Sequence, residues 1–164
     1  MQPIKPAEPS GPDVLAGTLL RPQLAFRLKG RSTMIPERPN SQETILLADD
    51  DGQLRKLVSA LLIQYGYNLI VASDGKEALL KARGFDGKID LLLSDVDMPG
   101  MTGIELATQL NKERPATRIL LISGLPSGLL VLNSGWQFLP KPFVSGMLRD
   151  RIRDFLSEKP TETT

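Results

Sequence analysis

The chain has 164 residues, a length that fits one domain with a modest extension rather than a multidomain enzyme. With 20 Lys/Arg against 19 Asp/Glu the net charge is +1, so no bulk field attracts nucleic acid or an anionic membrane. The absence of cysteine and histidine excludes disulfides, thiolate nucleophiles, His general bases, Cys or His metal sites and phosphohistidine. Site chemistry falls to carboxylates, lysine, hydroxyls and backbone.

Residues 1–40 differ from the rest. They hold seven of the 13 prolines and carry six Lys/Arg against three Asp/Glu, whereas residues 41–164 carry a net −2. Pro3, Pro6, Pro9 and Pro12 recur every third residue, a spacing that suits an extended, solvated polyproline conformation. The apolar residues from Val14 to Leu28 lack a clear cap or a sustained period, so this N-terminal extension reads as disordered. A second reading is that translation begins at Met34, six residues before the shift in composition. The N-terminus lacks the apolar core of a signal peptide. The uncharged stretch from Ile119 to Pro140 is long enough to cross a bilayer. It is broken by Gly124, Pro126, Gly128, Asn133 and Gly135, so no membrane span and a cytoplasmic location are expected.

From residue 44 the pattern becomes regular. Thr44–Ala48 reads as a strand covered on both faces. Asp51–Tyr65 follows as a helix with Leu54, Leu57, Val58, Leu61 and Leu62 at helical spacing, stopped by Gly66. Asn68–Ala72 is a second strand and Asp74–Arg83 a helix with Ala78, Leu79 and Ala82 inward. Ile89–Ser94 is a third strand, followed by a helix over Gly103–Arg114 that Pro115 ends. Arg118–Ser123 and Trp136–Leu139 are the fourth and fifth strands. Val144–Ser157 is a last helix burying Met147, Leu148, Ile152, Phe155 and Leu156. Strands alternating with helices at this spacing imply right-handed βαβ units, hence an α/β fold with a doubly wound, five-stranded parallel sheet. A domain over 41–159 and a short tail at 160–164 complete the expected organisation.

Ligands of such sheets sit beyond the carboxyl ends of the strands. Those ends are loaded here: Asp49, Asp50 and Asp51 after the first strand, Asp95 and Asp97 after the third, Ser123 after the fourth and Lys141 after the fifth. Carboxylates at close range remain ionised together only when a cation joins them. An all-oxygen donor set without His or Cys favours Mg²⁺ or Mn²⁺ over zinc or copper. Lysine and a hydroxyl opposite the metal would clamp a phosphoryl group, and one carboxylate would be free to attack phosphorus and form an acyl phosphate.

The order ILLADDD, LLLSDVDMPGMTGIEL, ILLISG and FLPKPF resembles the receiver domain of two-component response regulators, the CheY-like family, over roughly residues 44–157. The resemblance implies a flavodoxin-like sheet of order 2-1-3-4-5. It implies Asp95 as the phosphoacceptor, Asp50 as a direct Mg²⁺ ligand, Asp49 as a ligand largely through water, and the Asp97 main-chain carbonyl as a further ligand. Ser123 would bond the phosphoryl group in the active state, Lys141 would pair with it, Phe138 would be the switch aromatic, and Lys141–Pro142 would be a cis peptide. Partners would be a sensor histidine kinase or phosphotransfer protein and a downstream protein target, with no nucleic acid.

Two departures stand out. Asp97 places a carboxylate two residues after the acceptor. Leu125–Gly135, with Pro126 and Gly128 inside it, leaves room only for a shortened or irregular fourth helix between the fourth and fifth strands. Seven residues follow Ser157, so the expectation is a free-standing receiver or one cut from a hybrid protein. Two other readings compete. One is a receiver-fold interaction module that takes no phosphate. The other is an aspartyl-phosphate phosphatase of the haloacid-dehalogenase type, disfavoured because the acidic cluster at Asp49–Asp51 precedes the nucleophile. The chain is therefore expected to be a phosphoacceptor rather than an enzyme.

Overall fold

A computed structural model describes residues 43–124 and 135–158. The extension at 1–40, the tail at 160–164 and nearly all of Leu125–Gly135, where a shortened helix is expected, lie outside the described residues. The elements in chain order are β1 (Thr44–Ala48), α1 (Gly52–Gln64), β2 (Asn68–Ala72), α2 (Gly75–Gly84) and β3 (Leu91–Asp95). They continue with α3 (Gly103–Glu113), β4 (Arg118–Ser123), β5 (Gln137–Pro140) and α4 (Ser145–Ser157).

All five strands are parallel, in the order β2-β1-β3-β4-β5. The central strands carry runs of apolar residues, with polar residues only toward their ends, because both of their faces are covered. Alternation sorts their side chains. Leu46, Leu92, Ile119 and Leu121 pack with Ala78, Leu79 and Ala82 of α2 and Leu106, Ala107 and Leu110 of α3. Ile45, Leu47, Leu91, Leu93, Leu120 and Ile122 pack on the other face with Val58 and Leu62 of α1 and Leu148, Ile152 and Phe155 of α4. Each fully buried Leu or Ile contributes roughly 1.5–3 kcal/mol by leaving water, so these two layers hold the strand ends in place.

The helices begin where the sequence supplies caps. Asp51 accepts from the Gln53 and Leu54 amides, and Asp74 accepts from the Glu77 amide. Thr102 and Glu105 form a reciprocal capping box at α3. Gly66, at φ 95°, takes the left-handed conformation that turns the chain from α1 into β2.

Some sequence expectations are corrected. Asp51 caps α1 instead of forming its first turn, β3 ends on Asp95, and β5 runs to Pro140. Leu57 and Met147 point outward, at 58% and 48% exposure. The reason is geometric: the sheet touches one narrow stripe of each helix. In α4 that stripe is Leu148, Ile152 and Phe155, spaced i, i+4, i+7, and Met147 lies about 100° away from it.

Candidate functional site

From β1 the chain crosses to β2 on one side, and β3 pairs on the other. The loops that leave β1 and β3 therefore diverge, and a crevice opens at the carboxyl ends of these two neighbouring strands. Asp49 directly follows β1 and Asp95 is the last residue of β3.

The structure brings Asp49, Asp50 and Asp95 together, with one carboxylate oxygen of each within 4.8 Å of the other two. Asp49 and Asp95 are buried, at 1% and 6% exposure, whereas Asp50 faces solvent. Burial pushes the Asp49 carboxyl above its ordinary range. The Asp51 amide bond and the Lys141 charge oppose that shift, while the neighbouring Asp95 and Asp50 charges add to it. A site of this kind, crowded with negative oxygen donors, favours a hard divalent cation.

Lys141, carried by the segment after β5, places Nζ 2.9 Å from Asp95 Oδ2. Its backbone is fixed by the bond from its amide to the Ser123 carbonyl, 2.8 Å, and the Lys141–Pro142 peptide is cis. The Asp97 amide meets Asp95 Oδ1 at 3.4 Å. The Asp97 side chain is exposed and lies apart from the three-carboxylate group, and its Oδ2 accepts from Ser123 Oγ at 3.3 Å. Ser123 is completely buried. Phe138 is half-buried on β5, against the layer of α2 and α3. Asp51, in the same acidic run, is occupied as the α1 cap: the Leu54 and Gln53 amides hold its carboxyl below the usual range.

Three residues near the site are absent from the sequence-level set. Arg55, one turn into α1, donates from Nη1 to the Asp49 carbonyl at 2.6 Å and so fastens the acidic loop to the helix. Its place four residues after Asp51 was the available signal. Ser94 Oγ donates to the Asp95 carbonyl at 2.9 Å. Gly103 opens α3 directly against β3: a Cβ there would lie 2.0 Å from the Asp95 carbonyl oxygen. Only glycine permits α3 to start so close to Asp95.

Comparison with known proteins agrees with this geometry. The family model described as "Response regulator receiver domain" matches residues 45–153. The chain is 41% identical over 116 residues to the transcriptional regulatory protein CpxR of Escherichia coli K12, covering 68% of this chain and 48% of CpxR. The chain thus spans about half the length of that relative. The crystal structure of the receiver domain from the hybrid histidine kinase CckA superimposes with a TM-score of 0.61 at 35% identity, covering 69% of this chain and 98% of that one. The response regulator TrrA of Thermotoga maritima, in complex with Mg(2+)-BeF, gives a TM-score of 0.61 at 29% identity, with 69% and 98% covered. Sheet order, motif positions and family match converge, and the chain belongs to the response regulator receiver domain family.

Proposed function

We propose that this domain is a phosphoacceptor switch in which Asp95 takes a phosphoryl group from a partner histidine kinase or phosphotransfer protein. The observation that carries the reading is the 2.9 Å pairing of Lys141 Nζ with Asp95 Oδ2, beside Asp49 and Asp50 in the same crevice. In the reaction a carboxylate oxygen of Asp95 attacks phosphorus. A P–O bond forms while the bond from phosphorus to the donor breaks, and its electron pair leaves with the donor. The ammonium of Lys141 offsets charge on the phosphoryl oxygens, and the rigid end of β3 holds the nucleophile in place. Asp49, Asp50, Asp95 and the main-chain carbonyl of Asp97 would hold Mg²⁺ (or Mn²⁺), which supplies charge neutralisation at the transferring phosphoryl group. The complex of TrrA with Mg(2+)-BeF supports such a site in a similar fold.

In the phosphorylated state Ser123 bonds the phosphoryl group, Phe138 repacks, and the changed surface engages a downstream protein. The unit that does this is residues 41–159, with 1–40 as an extension and 160–164 as a tail. The domain acts as an acceptor with slow self-dephosphorylation and not as a turnover phosphatase. It binds protein partners, not nucleic acid. A cytoplasmic setting suits a kinase partner, and no described helix is long and apolar enough to cross a membrane.

The test is incubation with acetyl phosphate and Mg²⁺, followed by intact mass. A gain of one phosphoryl group that requires Asp95 supports the reading. An unchanged mass makes the chain a phosphate-independent interaction module, and turnover of a small phosphate ester makes it a phosphatase.

A further inference from the structure

One contact in the crevice has no part in phosphoryl transfer itself. Ser123 Oγ, at the buried end of β4, donates to Asp97 Oδ2 at 3.3 Å across 26 residues of chain. Asp97 is in turn tied by its amide to Asp95 Oδ1 at 3.4 Å. One exposed residue therefore touches both the acceptor carboxylate and the hydroxyl on the neighbouring strand. We propose that the Asp97 carboxylate is a latch on Ser123, holding its hydroxyl in the unphosphorylated domain and opening when Asp95 carries a phosphoryl group. The inference rests on the phosphoacceptor reading and concerns the regulation of that same site.

The physical argument is competition for one proton. A serine hydroxyl has a single hydrogen to donate, so Ser123 cannot direct it at the Asp97 carboxylate and at a phosphoryl oxygen together. Both acceptors are anionic, and each bond to an anion is stronger than one between neutral groups. Moving the hydroxyl to the phosphoryl group leaves the Asp97 carboxylate without this donor, and near a new negative charge that repels it. Both consequences disfavour the phosphorylated arrangement. Asp97 thus raises the threshold for switching, and by linkage it weakens the binding of any phosphoryl mimic. The two contributions separate cleanly: repulsion needs only the charge on Asp97, whereas the latch also needs the hydroxyl of Ser123.

A double-mutant cycle on the full chain tests this, with the affinity for beryllofluoride in the presence of Mg²⁺ measured by calorimetry. Asp97→Ala keeps the main-chain carbonyl and should tighten binding by about fivefold or more when Ser123 is present. In the Ser123→Ala background the same change should tighten it clearly less. Asp97→Asn keeps an acceptor oxygen without the charge and should fall between wild type and Asp97→Ala. Equal tightening in both backgrounds overturns the latch and leaves repulsion alone. A second readout needs neither metal nor mimic: the Cβ chemical shift of Ser123 should move in Asp97→Ala and stay near its wild-type position in Asp97→Asn. An unmoved shift in Asp97→Ala overturns the latch while leaving the phosphoacceptor reading intact. A wild-type chain that takes neither beryllofluoride nor a phosphoryl group from acetyl phosphate overturns that reading, and the latch with it.

Discussion

The two rims of the sheet use charge in opposite ways. At the amino rim charged side chains are spent on backbone. Arg114 donates to the carbonyls of Ala82, Phe85 and Gly87, which closes the chain leaving α2. Arg118 donates to the carbonyls of Phe155 and Glu158 at the end of α4 and stacks 5.3 Å over the Phe155 ring. Asp90 accepts from the Thr44 amide at 2.9 Å and pairs with Lys88. At the carboxyl rim three carboxylates crowd one another, with Lys141 on Asp95 as the cation drawn in from β5. One rim turns its arginines onto helix-end and loop carbonyls and so closes helices and strands. The other leaves like charges within 4.8 Å of one another, an arrangement that costs stability until a cation enters. The candidate site lies at the rim that crowds like charges.

The largest effect that would separate the rims is on chemistry. Asp95→Asn should abolish the phosphoryl mass gain while the chain stays folded, since an amide at this site removes a crowded charge. Labelling that persists at the normal rate would move the acceptor elsewhere. Next in size, Arg118→Ala should destabilise the domain by about 2 kcal/mol, from lost bonds to helix-end carbonyls and the lost ring contact. Urea unfolding measures this, and labelling of the folded fraction should be unaltered; a loss of labelling would show that the rims are coupled.

A smaller effect of opposite sign is expected at Asp49. Its carboxyl is pushed up by burial, so Asp49→Asn relieves a buried charge and can still accept from the Asp51 amide. The metal-free variant should melt a few degrees higher than wild type and bind Mg²⁺ more weakly. A lower melting temperature would mean that the charge is better compensated than the crowding of carboxylates implies. The smallest effect belongs to the amino rim. Burial, with a contribution from the Glu43 charge, raises the Tyr67 hydroxyl from 10.0 to about 12. The folded chain favours the neutral phenol, so this contribution is whole below the unfolded value and is lost as pH rises through about 12. Tyr67→Phe should flatten the fall of the urea midpoint over that alkaline window and leave it unchanged near neutrality.

Much of this was legible in the chain. The β/α alternation could be read because strands buried on two faces are written as unbroken apolar runs, such as residues 119–122, and amphipathic helices as spaced ones. Asp49, Asp95 and Lys141 could be placed on one edge because each follows such a run. Helix orientation was less legible: Leu57 and Met147 match the apolar period yet face solvent, since the period marks a wide arc and the sheet covers a narrow stripe. Arg55 and Gly103 carried little signal. An arginine one turn into a helix usually serves solvent, and the need for glycine at 103 appears only when α3 is seen against the Asp95 carbonyl.

Sequence alone determined the inventory of chemistry, since a chain without His or Cys must work through carboxylates, lysine and hydroxyls, and local patterning determined which strand ends carry them. Only the tertiary structure decided who meets whom. The pairing of Asp95 with Lys141 spans 46 residues and that of Ser123 with Asp97 spans 26. Such contacts depend on strand order and on register to within one residue: Asp95 stands level with Ile122 and Ser123 level with Pro140. A slip of one place would turn every one of these side chains to the other face of the sheet. Periodicity records which face a residue prefers. The distance between two strand ends is settled only when both helical layers have packed.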